Sequence, residues 1–521
     1  MSTDRVNEVS ATQKRSGSPA HGPRGVGAFL VPRLEDVLFV AIFLLVVVLG
    51  PRLLNVDGDL GRHLTIGEHI LQTGRVPTTD IFSHTMSGEE LTPHEWLAQV
   101  AFALAYRILG LDGVVLLCAI VLGLTLSWTH RTGVRRSGLG LATLMLALVA
   151  ASASSLHWLA RPHLFTLLLV VAWTDGLERS ARGEELPWWR QPLIMLAWAN
   201  LHGAFVIGFV VWLAYAADWA WRRCKSGREQ ANDAHGRRLG LALALSLAAT
   251  VVNPVGLRLW ATSIGYIGNA YLVGHTAEYL SPNFHDVSTW PFLGMILLSP
   301  VLLALGRRQF EPRSILLLIG WTGLGLYSVR HVPVYAVLAV PILAESLAAA
   351  LPGSVAGDPW LKREARLRGL EAGFRGRLWP AAAALAAAAL LATGVRLTPA
   401  PGGNTFSSRV FPVQAVDWAL ANPPGRRVFN YFPWGGYLLF RGWPAATVFI
   451  DGQTDFYGEA LTRQYETVIT LGDGWEQVLA RYDVDWVILP PDSRLVRQLR
   501  QDPLWTEAFA DGTAVILERT R

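Results

Sequence analysis

Charge and cysteine are both scarce in this sequence. Asp, Glu, Lys and Arg make up 16% of its 521 residues, where a soluble globular protein carries about 25%, and the shortfall excludes an ordinary water-soluble globule. The two cysteines, Cys118 in an apolar run and Cys224 in a basic loop, cannot pair, which excludes a disulfide framework. No glycine loop of the P-loop or dinucleotide type is present, and no internal repeat. The net charge of +5 is not gathered on one soluble segment. Its basic residues recur between apolar runs, so nucleic acid is not an expected partner.

Apolar length is what the chain has in excess, with 51% hydrophobic residues. A helix needs about 20 apolar residues to cross a bilayer. Runs near that length lie at 36–54, 111–130, 138–158, 163–177, 192–201, 204–221, 239–255, 291–306, 313–330, 331–350 and 379–396. The sequence thus predicts an α-helical polytopic membrane protein of about eleven transmembrane helices. The first run is too long for a signal-peptide core and lacks a small-residue cleavage site, so it reads as an uncleaved span. Residues 1–33, rich in Ser, Gly and Arg, are expected to be a disordered cytoplasmic tail. With the N-terminus inside, the Lys/Arg-rich connections 131–136, 178–185, 221–228, 306–313 and 361–377 all fall on the cytoplasmic side. Membrane lipid is then an obligatory partner, and the C-terminal segment falls outside.

That segment, 398–521, is expected to be a small extracytoplasmic α/β domain. Helices are predicted at 412–421, 459–470, 474–481 and 492–500. RRVFN, ATVFID and DWVIL read as strands, and WTEAFADGTAVILER as a hairpin turning at Asp-Gly. Within the transmembrane region 34–397, two outer loops stand out, 55–96 and 257–290. In and after the first, 60–73 and 94–109 carry apolar residues at helical spacing and are expected to lie in the interface plane.

Polar residues at membrane depth are costly and usually functional. The outer halves of the predicted spans and their loops collect Asp57, Asp59, His63, His94, Glu95, His157, Arg161, His163, Asn200, His202, Glu278, Arg330 and His331. Of thirteen histidines only His21, His130 and His235 fall elsewhere. This one-sidedness points to an outward-facing site, with a wet vestibule as the plain alternative. Taken singly the residues are ambiguous. Asp59 is placed equally well to cap the helix beginning at Leu60. Arg161-Pro-His163 either snorkels to headgroups or clamps a phosphate, and Arg330-His331 repeats the arrangement. Asp57-x-Asp59 with Glu68 lacks the ligand and glycine pattern of a calcium loop, since Gly61 and Arg62 stand in those places.

A first span, an outer loop opening with an acid, interfacial helices, many further spans and an outer C-terminal domain resemble the GT-C superfamily of integral membrane glycosyltransferases. The spacing Asp59…Gly74-x-x-Pro77 is similar to the first outer loop of the polyprenyl-phosphate-sugar transferases. The stretch 434–458 is similar to the start of the outer domain of oligosaccharyltransferase catalytic subunits, although only Gly436-Tyr437 matches their WWDYG signature and its Asp is missing. The resemblance implies an inverting transfer from a polyprenyl-phosphate-linked sugar donor to a glycan, lipid or protein acceptor on the outer face of a bacterial cytoplasmic membrane. Asp59 is then the catalytic carboxylate, taking the acceptor's proton, supported by Asp57. Arg161, His163, Arg330 and His331 are the expected donor-phosphate ligands, and His63, His94, Glu95, His202 and Glu278 the expected substrate-binding residues. A Mg or Mn ion shared by Asp57 and Asp59 is the one cofactor left open. The rival expectations are a lipid-linked-sugar flippase, with polar groups in both halves of the bundle, and a cell-envelope scaffold without catalysis.

Overall fold

Residues 27–230, 233–306, 311–352, 357–374 and 377–520 are described by the computed structural model of the chain. Helix dominates them, and each apolar run lies on one. The first falls on Leu34–Val48 and Gly50–Asn55, the second on the latter part of Trp96–Ser137. The next five fall on Gly140–Ser154, His163–Ala181, Arg190–Leu201, Val206–Gln230 and Asp233–Thr250. Trp290–Leu305, Pro312–Tyr327, Val332–Ala350 and Trp379–Ala392 complete the set. By length and composition, five helices among the described residues suffice to cross a membrane: Trp96–Ser137, Gly140–His157, Gly203–Lys225, Val287–Leu305 and Val329–Ala350. Of the expected tail, residues 1–26 lie outside the described residues. Gly27–Leu30 is a turn of helix, and Trp379 Nε1 donates to Leu30 O at 2.9 Å.

The bundle is built around Val332–Ala350. It is apolar on every side and buried along most of its length against Trp96–Ser137, Gly140–Ser154, Trp290–Leu305 and Pro312–Tyr327, as an all-round hydrophobic helix must be. Trp96–Ser137 is one helix in name only. Leu109 and Gly110 leave helical geometry, Gly110 with φ +61°, a conformation open to glycine. The piece before the break turns aside to pack on Leu60–Thr73, and the piece after it enters the bundle.

At the inner end, the end of the bundle that the sequence predicts to face inward, the helices are tied by buried ion pairs. Arg313 Nη1 lies 2.6 Å from Asp218 Oδ2 and its Nε 3.1 Å from Glu178 Oε2. Arg136 Nη2 lies 2.6 Å from Glu345 Oε2, and Arg182 Nη2 2.8 Å from Glu345 Oε1. Charged groups therefore occupy both ends of the bundle; the one-sidedness read from the sequence holds for histidine alone.

The C-terminal domain, which the sequence predicts to lie outside, carries a four-stranded sheet of order β1-β2-β4-β3, with β1 Val428–Asn430, β2 Trp486–Leu489, β3 Trp505–Ala510 and β4 Val515–Arg519. β1 and β2 are parallel, with Phe429 opposite Val487; β2–β4 and β4–β3 are antiparallel. β2 reads as an unbroken apolar run because both its faces are covered. Trp486 and Ile488 meet one core, Val487 and Leu489 the other. The first of these cores also contains Ile66, Ile70, Phe82 and Leu91, from the loop after the first span. Loop and C-terminal domain thus share one interior.

Two expectations fail locally. ATVFID is not a strand: it makes only the isolated bridges Arg427–Thr447 and Ser83–Val448. The fully buried Asn430 side chain takes the place of a ladder there, accepting from Phe449 N at 2.9 Å and donating to Ile450 O at 2.9 Å. The helix Leu60–Thr73, expected to rest on lipid, is covered by protein, between the Trp96–Ser137 helix and Gly435–Gly442.

Candidate functional site

The site begins with Asp57-Gly58-Asp59. Asp59 N donates to Asp57 Oδ1 at 2.7 Å, the local turn that Asp side chains favour. A Cβ on Gly58 would overlap Pro433 O, one on Gly61 would overlap Gly436 O, and one on Gly436 would overlap Gly58 O. These glycines let the loop lie directly on the backbone of 433–437. Asp59 stands at the N-terminus of Leu60–Thr73, yet its side chain makes no capping bond to that helix. The capping alternative falls. The carboxylate is instead 7% exposed, packed on Gly452, where a Cβ would strike Oδ1, with Oδ2 2.9 Å from Arg161 Nη2.

Arg161 lies in the break between Ser155–His157 and His163–Ala181. Its Nη1 is 2.6 Å from Asp57 Oδ2 and also bonds Glu278 Oε1. Glu278 sits on the turn Ala277–Tyr279. That turn is fixed from behind: Ser328 Oγ donates to Glu278 O at 2.9 Å and Val329 N to Leu280 O at 3.0 Å. Arg330 follows at once. Its Nη1 donates to Tyr279 OH at 2.9 Å, its guanidinium lies over the Tyr279 ring, and Nη1 is 3.6 Å from Glu278 Oε2. Burial raises the Asp57 carboxyl, Arg161 lowers it, and Asp59 and Glu278 raise it again; the balance pushes it up to about 6. Burial raises Glu278 as well, but Arg161 and Arg330 outweigh that and hold it below the usual carboxylate range.

A second polar group adjoins the first through Gly452. Arg62 Nη1 donates to Gln453 Oε1 at 2.7 Å; its Nη2 is 3.5 Å from Glu95 Oε2 and its Nε 3.8 Å from Asp451 Oδ1. Glu95 is ringed by His63 Nδ1 at 3.7 Å, His94 Nε2 at 3.8 Å and His202 Nε2 at 3.7 Å. His94 Nδ1 reaches Asp455 Oδ2 at 3.5 Å, and His202 Nδ1 meets Thr166 Oγ1 at 2.9 Å. Burial, opposed by Arg62, leaves Asp451 at about 6. Burial and the neighbouring Arg62 and Arg161 keep His63 well below the ordinary histidine value, so it is neutral at pH 7.

The structure therefore brings Asp57, Asp59, Arg161, Glu278 and Arg330 into one contact network, and His63, His94, Glu95 and His202 into another beside it. His163 does not face the carboxylates; its Nε2 meets His157 O at 2.8 Å. His331 turns to the Trp321 ring instead. Sequence reasoning named His157 among the outer polar residues without giving it a role, and passed over Arg62, Asp451, Gly452 and Gln453 as parts of the site. Asp451 and Gly452 are the two that a sequence signal could have found, the Asp-Gly after an apolar stretch, hidden when ATVFID is read as a strand. The cation lying between Asp57 and Asp59 is the Arg161 guanidinium. Among the described residues no group of three or more His, Cys, Asp or Glu is arranged around a metal-sized point.

No protein-family model matches the chain, and no curated protein does. Its fold has counterparts among solved structures. It is similar to ArnT from Cupriavidus metallidurans bound to undecaprenyl phosphate, with TM-score 0.50 and 14% identity over 92% of this chain and 97% of that one. It is also similar to the oligosaccharyltransferase of Archaeoglobus fulgidus in the apo form, with TM-score 0.58 and 12% identity over 87% of this chain and 69% of that one. The archaeal oligosaccharyltransferase AglB from Archaeoglobus fulgidus, in complex with an inhibitory peptide and a dolichol-phosphate, gives TM-score 0.55 and 11% identity over 87% of this chain and 69% of that one.

Proposed function

We propose that this chain, which carries the fold of the GT-C glycosyltransferases, is an inverting glycosyltransferase of the bacterial cytoplasmic membrane. It moves a sugar from a polyprenyl-phosphate carrier to a glycan, lipid or protein acceptor on the outer face. The observation that carries this reading is the buried Asp59 carboxylate beside Arg161, where the apolar bundle meets the outer domain. The lipid phosphates present in ArnT and AglB support the choice of donor.

In the transfer, the acceptor oxygen attacks the anomeric carbon opposite the phosphate. The bond from that carbon to the phosphate oxygen breaks, its electron pair leaves with the phosphate, and the acceptor proton passes to Asp59. A positioned base contributes about 10²–10⁴-fold. Arg161 and Arg330 receive the charge that grows on the leaving phosphate, and Asp57 fixes the Asp59 backbone while sharing Arg161. A full-length Asp59→Asn variant that folds and binds donor is expected to lose transfer by that factor; undiminished transfer would remove Asp59 from the chemistry.

Buried charge at the inner end is what a second reading, a flippase, would call on. The ion pairs there are mutually compensated, Arg313 by Asp218 and Glu178 and Arg136 by Glu345, which suits a clamp better than a substrate path. Lipid scrambling by the Asp59→Asn protein at the wild-type rate, without any transfer activity in the wild type, would decide for transport.

A further inference from the structure

Arg161 and Arg330 are the cations that the proposed transfer assigns to the donor phosphate, yet both already face an anion. Glu278 Oε1 bonds Arg161 Nη1, and Glu278 Oε2 is 3.6 Å from Arg330 Nη1 and 3.8 Å from His157 Nε2. His157 is 4% exposed, and its Nε2 has no hydrogen-bond partner among the described residues. Two of the three donors thus stand beyond hydrogen-bond length from the carboxylate. A planar carboxylate is too small for this seat; a tetrahedral phosphate ester, with oxygens on four sides, spans more of it. Charge gives the same result. Asp57, Asp59 and Glu278 against Arg161 and Arg330 leave the network one negative charge in excess. Adding a phosphodiester would double the excess in a buried place, whereas exchanging Glu278 for it leaves the excess unchanged.

We infer that Glu278 is a resident stand-in for the phosphate ester, which must displace it from Arg161, Arg330 and His157 in order to bind. The inference rests on the donor reading above and extends it. Its consequence lies in the segment that carries Glu278. The preceding helices Arg258–Gly268 and Ala270–His275 are fastened to Thr454–Thr470 of the outer domain. Tyr266 OH meets Thr454 Oγ1 at 3.0 Å, Asn269 Nδ2 donates to Glu459 Oε2 at 3.2 Å, and the Arg463 guanidinium lies 3.8 Å from the Tyr271 ring centre. Thr454 follows the Gly452-Gln453 pair that touches Asp59 and Arg62. Expulsion of the Glu278 side chain removes the anchor of this strap on Arg161 and leaves its turn to Ser328, Val329 and Arg330, so donor entry loosens the cover over the second polar group and precedes acceptor entry.

The experiment uses the full-length protein in lipid nanodiscs, with undecaprenyl phosphate and inorganic phosphate as separate probes. Glu278→Gln is expected to bind undecaprenyl phosphate about tenfold tighter than wild type. Amide exchange over 269–280 is expected to rise in wild type on adding the lipid, and to be raised already in Glu278→Gln without it. Glu278→Asp, which keeps the charge, serves if the Gln variant does not fold, and is expected to fall between the two. Tightening toward inorganic phosphate as well would support the seat as one for any phosphate; tightening toward the lipid alone would support it as the carrier's. Saturable lipid binding with Glu278→Gln equal to or weaker than wild type, or with exchange over 269–280 unchanged, would overturn the inference and leave the donor reading standing. Absence of binding by either protein would overturn both.

Discussion

Asp59 holds its position through glycine as much as through charge. Its Oδ2 is tied to Arg161, while its other oxygen rests where a Cβ on Gly452 would stand. Gly452→Ala is therefore expected to push the carboxylate aside and to lower transfer by about 10²-fold or more, with donor affinity little changed; wild-type turnover in that variant would contradict the placement. Asp57 offers a pH handle. Its folded value of about 6, like that of Asp451, lies above the usual value near 4, so the folded state holds the proton more tightly. The stability this brings is full below about pH 4 and is lost as pH rises through about 6. Around Asp57 stand Arg161, Asp59 and Glu278; protonating it takes one carboxylate off Arg161. Binding of a polyprenyl-phosphate sugar, whose phosphodiester does not titrate in this range, is expected to tighten as pH falls from 7 through 6. Asp57→Asn should flatten that dependence. A flat wild-type profile would refute it. Because Arg161 already lies between the two carboxylates, we propose that transfer does not need a divalent ion; activity lost in EDTA and restored by Mg or Mn would refute that. Asp57, Asp59 and Arg161 were legible in the sequence as ionisable groups at the ends of apolar runs. Asp451 and Gly452 were not, because a segment hydrogen-bonded by the Asn430 side chain has the same apolar pattern as a strand.

Elements were more legible than contacts. Helical periodicity placed 60–73 to the residue, with Leu60 and Leu64 turned to the bundle core and Ile66 and Ile70 to the core shared with the C-terminal domain, and the glycine at 74 ends the helix with φ +68°. Periodicity reports only that an apolar face is covered. It says nothing of what covers it, and a lipid surface and a protein surface give the same pattern. The sign of protein contact lay in the small residues, Gly58, Gly61 and Gly67, each with backbone of another segment where a Cβ would go. Gly61→Ala would set its Cβ against the carbonyl of Gly436, which has no flexible end to yield. It is expected to destabilise the protein by about 1–3 kcal/mol, read as a lower unfolding temperature in detergent. An unchanged temperature would mean that the two helices can part without cost.

Across the whole molecule, two polar ends are separated by one apolar core, and they differ in kind. The end at the C-terminal domain leaves His63 Nε2 and His157 Nε2 without hydrogen-bond partners among the described residues and shares two guanidiniums among three carboxylates, an arrangement with something left to bind. At the inner end the carboxylates are each met by arginine, Glu178 by Arg136, Arg182 and Arg313, and Asp175 by Arg135, Arg179 and Arg190. Removing one partner of such a buried pair costs about 3–5 kcal/mol. Arg313→Met is accordingly expected to lower thermal stability sharply while leaving affinity for undecaprenyl phosphate as it was; a loss of affinity without a loss of stability would place substrate at the inner end instead. The common interior of the early loop and the late domain has a further consequence for how the chain is made. Ile66, Phe82 and Leu91 find their partners Val416, Val428, Ile488 and Ile516 more than three hundred residues downstream. A nascent polypeptide must thread its remaining hydrophobic segments through the translocon before those side chains are sheltered. Until the last strand is made, the newborn protein presents a half-built apolar surface, and a chain stopped short of β4 lacks the strand that joins β2 to β3.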